Sequence, residues 1–558
     1  MIFTSILILI VAIALPSFKR NISSLLITRI SAIIFIYSGA LALNAFYIQS
    51  IGSGLGIYSG LFHVTIISQL LDVLLLFLSA LILMSWPLIT SAYYNKVLNK
   101  NINKKTLLTG DSTKLNNIGN YIPTTEYCLI ILFSALGSTL LISASDLVSM
   151  YLSIELQSFG LYILATLYRD SESATASGLK YFLLGALASC FILLGAGLIY
   201  SYTGLTNFES IYSLISVFSI SYLPSNLISG ISLGIIFIFI GFLFKIAAAP
   251  LHSWSIDVYD DSPTQVTIWL TIIPKIAILT LLLELTNGLS LITLLNLPLL
   301  YIDNFSNNLF NVSYNISYVL KMLLLISSLF SLVIGTIVGL AQTRIKRLLA
   351  YSTISHIGFI LLALAINTEQ SIDSFIFYII QYSITNLNIF LIILAIGFIL
   401  NKKGITKNWI LDFDIKYLYN FKGLLFINPI LSLSFVICLF SMAGIPPLAG
   451  FFAKQFVLLS AIEDGYWFMA FVAILTSVIS ASYYLRVVVL LVTPSTNLQN
   501  SNNSNNASNS TITESNSILT NVHSFLISTI TLSILLFILK PTILLNSTQL
   551  LSLSLFYS

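Results

Sequence analysis

Charged residues are scarce in this sequence. They make up 8% of its 558 residues, whereas they account for about a quarter of a typical soluble domain. Hydrophobic residues make up 57%, and the mean hydropathy is +0.97. This composition excludes a soluble globular protein and predicts a chain surrounded by lipid.

Cysteine and histidine are also scarce. Three cysteines lie in apolar runs at unrelated spacings, so nothing supports a disulfide framework, a zinc site or an iron–sulfur cluster. The four histidines do not cluster, and neither GxGxxG nor GxxxxGK[ST] occurs. The sequence therefore predicts no cofactor and no metal in this chain. Its net charge of +4 is too small to indicate a nucleic-acid partner.

Apolar runs of about 20 residues recur along the chain, and each is long enough to cross a hydrocarbon core of about 30 Å as a helix. We predict an all-α polytopic membrane protein with about fourteen transmembrane helices. The first run lacks a basic start and a small-residue cleavage site, so we interpret it as a retained helix rather than a signal peptide. The predicted helices lie at 2–18, 25–48, 63–90, 126–145, 147–168, 178–202, 227–255, 264–285, 321–342, 345–366, 374–400, 429–460, 467–493 and 517–538.

Basic residues fall almost entirely on one side of this arrangement. If the N-terminus is outside, only Lys321 and Lys540 lie at outer helix ends or loops, as the positive-inside rule requires. The lysine-rich loop at 95–125 and the low-complexity Asn/Ser segment at 494–516 are then inner loops. The Asn-rich connection at 287–320 is then on the outer side.

Two five-helix units follow the first three helices. In each unit the fourth helix is interrupted by proline, at Pro250 in one and at Pro446 and Pro447 in the other, and each proline removes a backbone hydrogen bond. An odd number of helices places consecutive units in opposite orientations, which predicts two inverted repeats formed by helices 4–8 and 9–13. The predicted regions are 1–90, 126–285 for the first unit, 321–493 for the second unit and 517–558.

Three lysines, Lys245, Lys275 and Lys454, lie deep in apolar segments, where each costs roughly 2.5 to 3.5 kcal/mol to insert. Glu155 is equally deep, so we predict that it pairs with Lys245 and that this pair switches between charged and neutral forms. Lys275 and Lys454 are predicted proton-relay sites. His252 and His356 are candidate bridges that act through water.

Each of these interpretations has a simpler alternative. A histidine beside a helix break, such as His252, can instead satisfy a free carbonyl group. Lysines near helix ends usually extend to the interface, which is our interpretation of Lys180, Lys321 and Lys540. We interpret Asp72 as a polar group in helix packing and Asp146 as a helix cap. The aspartates at the predicted inner mouth are expected to be solvated or to cap helices; they are Asp257, Asp260 and Asp261.

Several motifs resemble one family when they are taken together and in order. They are IELQSFGLYIL around Glu155, FKIAAAPLHSWSIDVYDDSPTQV around Lys245, PKIA at Lys275, RIKRLLAYSTISHIGF and GIPPLAGFFAKQFVL around Lys454. The chain is similar to the antiporter-like subunits of respiratory complex I, of a mitochondrial and fungal type, over nearly its whole length. The resemblance identifies Glu155 and Lys245 with the family's acid–lysine pair, Lys275 with its central lysine and Lys454 with its terminal lysine.

The resemblance also implies a function, partners and a location. It implies a membrane-arm subunit that takes part in proton pumping driven by NADH oxidation and ubiquinone reduction in other subunits, which would hold the FMN, the iron–sulfur clusters and the ubiquinone. Its implied partners are other membrane-arm subunits, including neighbouring antiporter-like chains, and lipids such as cardiolipin. The implied location is the mitochondrial inner membrane, with the N-terminus on the intermembrane-space side and a mitochondrial gene.

Two alternatives remain open at this point. A free-standing cation/proton antiporter would have almost the same fold and charged residues, although the lack of extra acidic residues beside Lys245 favours protons over metal cations. An inert structural spacer of the membrane arm would have the same buried ion pairs without using them.

Overall fold

The structure is a computed structural model that describes residues 1–14, 24–48, 54–85, 125–168, 171–218, 225–300, 311–401, 414–494 and 521–557. Helices dominate these residues. In the first half they are α1 (Ile2–Ala14), α2 (Ser24–Ile48), α3 (Ile66–Met84), α4 (Thr125–Ile142), α5 (Leu147–Thr166), α6 (Glu172–Thr203), α7 (Phe208–Phe218), α8 (Ser225–Ile246), α9 (Ser253–Asp261) and α10 (Thr264–Leu300). The second half contains α11 (Asn311–Leu340), α12 (Ile345–Ile366), α13 (Glu369–Asn401), α14 (Leu424–Ile427), α15 (Pro429–Ala443), α16 (Ala449–Glu463), α17 (Trp467–Val492), α18 (Asn521–Leu535) and α19 (Thr542–Tyr557).

Eleven helices in the described ranges are long and apolar enough to cross a membrane, and five further apolar helical stretches are shorter. These helices confirm the prediction of an all-α polytopic membrane protein, while the number of fourteen spans stays a prediction. Two three-residue strands, β1 (Leu55–Ile57) and β2 (Phe62–Val64), form an antiparallel hairpin between α2 and α3. Two short 3₁₀ helices follow α13 and α18, at Leu418–Phe421 and Leu536–Leu539.

Several helix bounds differ from those predicted. The segment predicted as one helix at 227–255 is two helices, α8 and α9, because the chain turns at Ala247 and Pro250. The segment at 429–460 is likewise divided into α15 and α16. Helix α10 continues to Leu300, into the predicted connection at 287–320, since asparagine only weakly disfavours a helix. The short helix α7 and the last helix, α19, were not predicted.

Three helices form the centre of the bundle. Nearly every side chain of α12, most of those in α13 and the whole apolar part of α10 are buried, whereas two-thirds of the apolar parts of α6 and α17 lie on the outside. Helix α10 carries Lys275 and α12 carries His356. The fold therefore places these polar side chains where protein, rather than lipid, surrounds them.

Glycines allow the same close helix contacts in the two five-helix units. A Cβ atom on Gly137 of α4 would lie 2.6 Å from the backbone nitrogen of Gln157, and one on Gly335 of α11 would lie 2.7 Å from that of Ser355. The residues of the second contact lie 198 positions after those of the first. The caps follow the same spacing, since Asp146 precedes α5 and Arg344 precedes α12.

Candidate functional site

The first helix break begins at the end of α8. Ala247 adopts a left-handed conformation with φ of 66°, and its N–H donates to the carbonyl of Phe244 at 3.0 Å. Pro250 has no N–H, and the chain becomes helical again only at Ser253. Lys245 occupies the last turn of α8. The free carbonyl groups at a helix C-terminus carry partial negative charge, so the break itself favours an ammonium group at this point.

Glu155 and Lys245 are brought together by α5 and α8. Lys245 Nζ lies 3.7 Å from Glu155 Oε1, and the two side chains are 8% and 15% exposed. This distance exceeds that of a hydrogen bond. Within the described residues neither Lys245 Nζ nor Glu155 Oε1 has a hydrogen-bond partner. The pair is therefore a buried ion pair with hydrogen-bonding capacity left over, which suits a group that gains and loses protons.

The second break has the same backbone form. Helix α15 ends at Ala443, Gly444 has φ of 84°, and its N–H donates to the carbonyl of Phe440 at 3.0 Å. Lys454, on the following helix α16, reaches back to this helix end, and its Nζ donates to the carbonyl of Ala443 at 2.9 Å. Each break therefore receives one buried lysine at the C-terminal end of the preceding helix.

Glycine is favoured at position 444 for two reasons. Its backbone conformation is one that L-residues adopt at a cost, and a Cβ atom there would lie 3.0 Å from Cδ of Lys454. Gly444 therefore lets the aliphatic part of Lys454 pass close to the chain on its way to the carbonyl of Ala443.

Lys275 lies in the middle of the bundle with 3% of its surface exposed. Its Nζ has no hydrogen-bond partner within the described residues and lies 5.5 Å from the ring centroid of Tyr259. Lys454 Nζ lies at a similar distance, 5.6 Å, from the ring of Phe359. Aromatic rings attract a cation, so both rings favour an ammonium group at these positions.

His356 lies within electrostatic range of both lysines, Lys454 and Lys275. Its Nδ1 lies 2.7 Å from the hydroxyl of Tyr378 on α13, and its Nε2 lies 3.3 Å from that of Tyr484 on α17. A neutral imidazole has one donor and one acceptor, so one tyrosine accepts a hydrogen bond while the other donates. Uptake of a proton at one nitrogen and its release from the other would exchange these two roles.

The two tyrosines were missed from the sequence. Tyrosines number 28 in this chain, and their spacing gives no signal that sets Tyr378 and Tyr484 apart. Only the packing of α13 and α17 on α12 brings their hydroxyls to His356.

His252 is placed differently from the other candidates. Its Nδ1 lies 3.2 Å from the carbonyl of Pro250, and its ring centroid lies 6.4 Å from that of Tyr351. These contacts agree with the simpler alternative, in which it interacts with a carbonyl group at the break. A relay role for His252 stays a prediction.

The aspartates at the predicted inner mouth correct one expectation. Asp260 is buried, not solvated, and accepts hydrogen bonds from Arg344 Nη1 at 2.6 Å and Arg347 Nε at 2.8 Å. Asp257 pairs with Lys180 and lies 3.7 Å from Arg347. The cause is the packing of α9 against α12, which joins residues more than eighty positions apart. Lys180 thus has an acidic partner instead of extending only to an interface.

A second buried pair lies beside this cluster. Lys346 is 2% exposed, and its Nζ donates to Asp414 Oδ2 and to the carbonyl of Ser262, both at 2.7 Å. The carboxylate of Asp414 also accepts from the hydroxyl of Thr264 at 2.9 Å, at the start of α10. The contacts of Asp414 with Lys346 and Thr264 fix the first turn of α10, the helix that carries Lys275.

Asp261 lies next to the buried Asp260. Burial, with added repulsion from Asp260, raises the pKa of Asp261.

Other polar residues have local structural roles. Asp146 caps α5 by accepting from the N–H of Val148 at 2.8 Å, as predicted. Lys321 lies over the ring of Tyr466, with Nζ 4.9 Å from the centroid. The carboxyl group of Asp72 interacts electrostatically with that of Glu284 on α10, which the sequence did not indicate.

The fold and the buried charges define an antiporter-like membrane protein, and the comparison with known families agrees. The family described as "NADH:quinone oxidoreductase/Mrp antiporter, TM" matches residues 144–480, which include both breaks and all the candidate site residues. This chain belongs to that family.

Individual relatives make the family assignment more specific. The chain is 46% identical to NADH-ubiquinone oxidoreductase chain 2 of Rhizopus oryzae over the full length of both proteins. It is 37% identical to the protein of the same name from Marchantia polymorpha, over 66% of this chain and 67% of that one. In the solved structure of respiratory complex I from Thermus thermophilus with bound aureothin, one chain matches with a TM-score of 0.66 and 24% identity over 98% of each chain, which supports the fold.

Proposed function

We propose that this chain is a core membrane-arm subunit of respiratory complex I and fills the place that chain 2 fills in its relatives. In this role it takes part in moving protons across the mitochondrial inner membrane, coupled to NADH oxidation and ubiquinone reduction in other subunits. It thus belongs to an H⁺-translocating NADH:ubiquinone reductase without holding a redox centre. The observation that carries the proposal is the placement of buried lysines at both helix breaks of a chain in this family.

The proposed proton route begins at Glu155 and Lys245. Burial opposes both charges while their separation of 3.7 Å favours them, so a small movement of either helix changes whether Lys245 holds its proton. Lys275 follows on α10. His356 lies within electrostatic range of both Lys275 and Lys454. Lys454 ends the sequence at the second break. Transfers between these sites need water or hydroxyl groups, since none of the lysines contacts another directly.

The architecture proposed for this route is a pair of inverted five-helix repeats, within the fourteen spans and the regions predicted from the sequence. Support comes from the matching glycine contacts and caps at a spacing of 198 positions. The left-handed residues Ala247 and Gly444 match at a spacing of 197. The proposed orientation places the N-terminus on the intermembrane-space side.

The proposed partners are the other membrane-arm subunits, including neighbouring antiporter-like chains, with lipids such as cardiolipin at the outer surface. FMN, iron–sulfur clusters and ubiquinone are assigned to other subunits. In the described ranges, no three histidine, cysteine or acidic side chains are grouped so that they could hold a metal ion.

The test is Lys245→Met in the assembled complex, reconstituted in vesicles. We expect the complex to assemble and the protons moved per NADH oxidised to fall, with rates of transfer through this chain reduced by roughly a hundredfold or more, as when a proton-transferring group is lost. Because the change leaves Glu155 without its partner, Glu155→Gln/Lys245→Met is measured beside it. Lys321→Met, at a lysine that lies over an aromatic ring, is the matched control.

Each alternative has its own outcome. A normal proton yield in both Lys245→Met and the double variant would identify an inert spacer. Purification of the wild-type chain alone, with sodium exchange in vesicles, would identify a free-standing antiporter.

A further inference from the structure

Gln157 is a buried polar side chain that the proposed route does not use and whose hydrogen-bonding capacity the structure leaves unexplained. It lies on α5, two residues after Glu155, and is 2% exposed. Both atoms of its amide group, Nε2 and Oε1, are buried and lack a hydrogen-bond partner within the described residues. Burying an amide group without hydrogen-bond partners is unfavourable, so this side chain is expected to bind something.

A cavity lies beside this amide. It is bounded by α5, α6, α8, α9 and α10, and both Gln157 and Lys245 line it. The space accessible to water is about 20 Å³, which is room for about one water molecule. Pro274 and Ile278 form its α10 wall, so the cavity reaches the helix that carries Lys275.

Lys245 faces the same cavity with its own unused hydrogen bonds. Its ammonium group lies 3.7 Å from Glu155 and has no closer acceptor in the described part of the chain. An ammonium group carries three N–H donors, and an amide carries one acceptor oxygen and one donor nitrogen. A single water molecule can therefore accept from Lys245 and donate to Oε1 of Gln157 at the same time.

We propose that Gln157 is a positioning residue, which holds a water molecule against Lys245 and so provides the first acceptor for the proton that this lysine releases. In the transfer, an N–H bond of Lys245 breaks as an O–H bond forms on the water, and one of the water's own O–H bonds breaks as its proton passes, through further water, to the amine of Lys275 on α10. The amide keeps its protonation state throughout. This inference rests on the proposed function, since it assumes that Lys245 exchanges protons.

The equivalent place in the second unit differs in chemistry. Positions Gln157 and Ser158 correspond, at the spacing of 198, to Ser355 and His356. There the imidazole of His356 contacts two tyrosine hydroxyls directly. In this region the second unit has a titratable side chain, whereas the first unit has a cavity and an amide.

The test compares Gln157→Met with Gln157→Asn in the assembled complex in vesicles. Methionine keeps the volume but no hydrogen bonds, whereas asparagine keeps both hydrogen-bonding atoms but is shorter. We expect Gln157→Met to slow proton movement roughly fivefold or more at saturating NADH, and Gln157→Asn to retain more of the wild-type rate. Gln69→Met, at a glutamine whose Nε2 donates to the carbonyl of Ala42, is the matched control and should leave the rate unchanged.

The order of the two variants decides the result. If Gln157 serves only packing, methionine will be tolerated better than asparagine, and the inference is overturned. It is also overturned if Gln157→Met has the wild-type rate. If Lys245→Met has a normal proton yield, the proposed function fails as well, whereas a low yield in Lys245→Met with a normal rate in Gln157→Met defeats only this inference.

A further variant keeps the test decisive if Gln157→Met does not assemble. In Gln157→Glu the protonated carboxyl group still offers the acceptor oxygen that holds the water, whereas the ionised form places a negative charge near Lys245 that opposes release of its proton. Proton movement in this variant should therefore approach the wild-type rate at acid pH and depart from it as pH rises. A pH profile parallel to that of the wild type would contradict the role assigned to Gln157.

Discussion

The two helix breaks have the same backbone but receive their lysines from opposite sides. At the first break Lys245 stands in the last turn of the helix that ends there, while at the second Lys454 reaches back from the helix that follows. In both, a left-handed residue ends the helix and leaves carbonyl groups within the bundle. What the two units share is thus the negative end of a helix, which attracts a cation from whichever side the sequence supplies it.

The partners of the two lysines differ as well. Lys245 has a carboxylate at 3.7 Å and a cavity beside it, whereas Lys454 has a backbone carbonyl at 2.9 Å and lies near an aromatic ring. A carboxylate can itself take up a proton, and a carbonyl cannot. The first unit therefore pairs its lysine with an acid, whereas the second unit supplies the imidazole of His356.

The largest effect we predict comes from breaking the connection between the units. Asp260 of α9 is buried and pairs with Arg344, which precedes α12, and with Arg347 of α12, so Asp260→Asn leaves the two arginines without their shared charge. Loss of one partner from a fully buried pair costs about 3 to 5 kcal/mol, and because each arginine is 36% exposed, the cost here should lie somewhat below that range. We expect the purified complex to lose half of its NADH:ubiquinone activity at a temperature several degrees below that of the wild type.

Asp257→Asn is the control for this comparison. Asp257 lies on the same helix and pairs with Lys180, but about a third of its side chain is exposed, so the change should cost at most about 1 kcal/mol. Equal losses of thermal stability in the two variants would show that the burial of Asp260 does not determine how strongly it stabilises the complex.

The sequence predicted the components of the site better than their connections. Lysines within apolar runs and the prolines that break helices are local features, so Glu155, Lys245, Lys275 and Lys454 were identified without a structure. The ion pairs of Asp260 and the contacts of His356 join helices that are distant in the chain. Whether an aspartate at a helix end is solvated or buried depends on such packing, which no local pattern contains.

The helix ends at the two breaks show the same limit. The sequence located the breaks through Pro250, Pro446 and Pro447, but not the left-handed residues that end α8 and α15. Alanine at position 247 gives no sign of this conformation, because glycine or asparagine usually marks it. The equivalent residue at the second break, Gly444, is a glycine, and comparison of the two breaks shows that it marks the left-handed helix end.

An intermediate effect is predicted for Gly444→Ala. Because Ala247 adopts the same conformation at the first break, alanine can adopt it here at a cost of about 1 to 2 kcal/mol. The added Cβ atom must also displace Lys454, since it would lie 3.0 Å from Cδ. We expect lower thermal stability and, because the ammonium group moves away from the carbonyl of Ala443, a lower proton yield per NADH.

Gly465→Ala separates these two causes. Gly465 has a φ of 82°, but a Cβ atom there would meet nothing within 4 Å. This control should lose the same stability from its backbone and keep its proton yield. If both variants keep the wild-type yield, contact with Lys454 is irrelevant to transport.

The smallest effect is predicted for the reverse change, Ala247→Gly. Glycine relieves the left-handed conformation but gains more freedom in the unfolded chain, so the net gain should be up to about 1 kcal/mol. We expect a slightly higher temperature of half-inactivation with an unchanged proton yield, because Lys245 makes its contacts from within α8. Ala248→Gly, at a neighbouring buried alanine outside the left-handed region, should instead reduce stability. A loss of stability in Ala247→Gly would mean that packing of the Ala247 methyl group stabilises the protein by more than its left-handed backbone conformation costs. The two breaks would then differ in more than the helix from which each lysine comes.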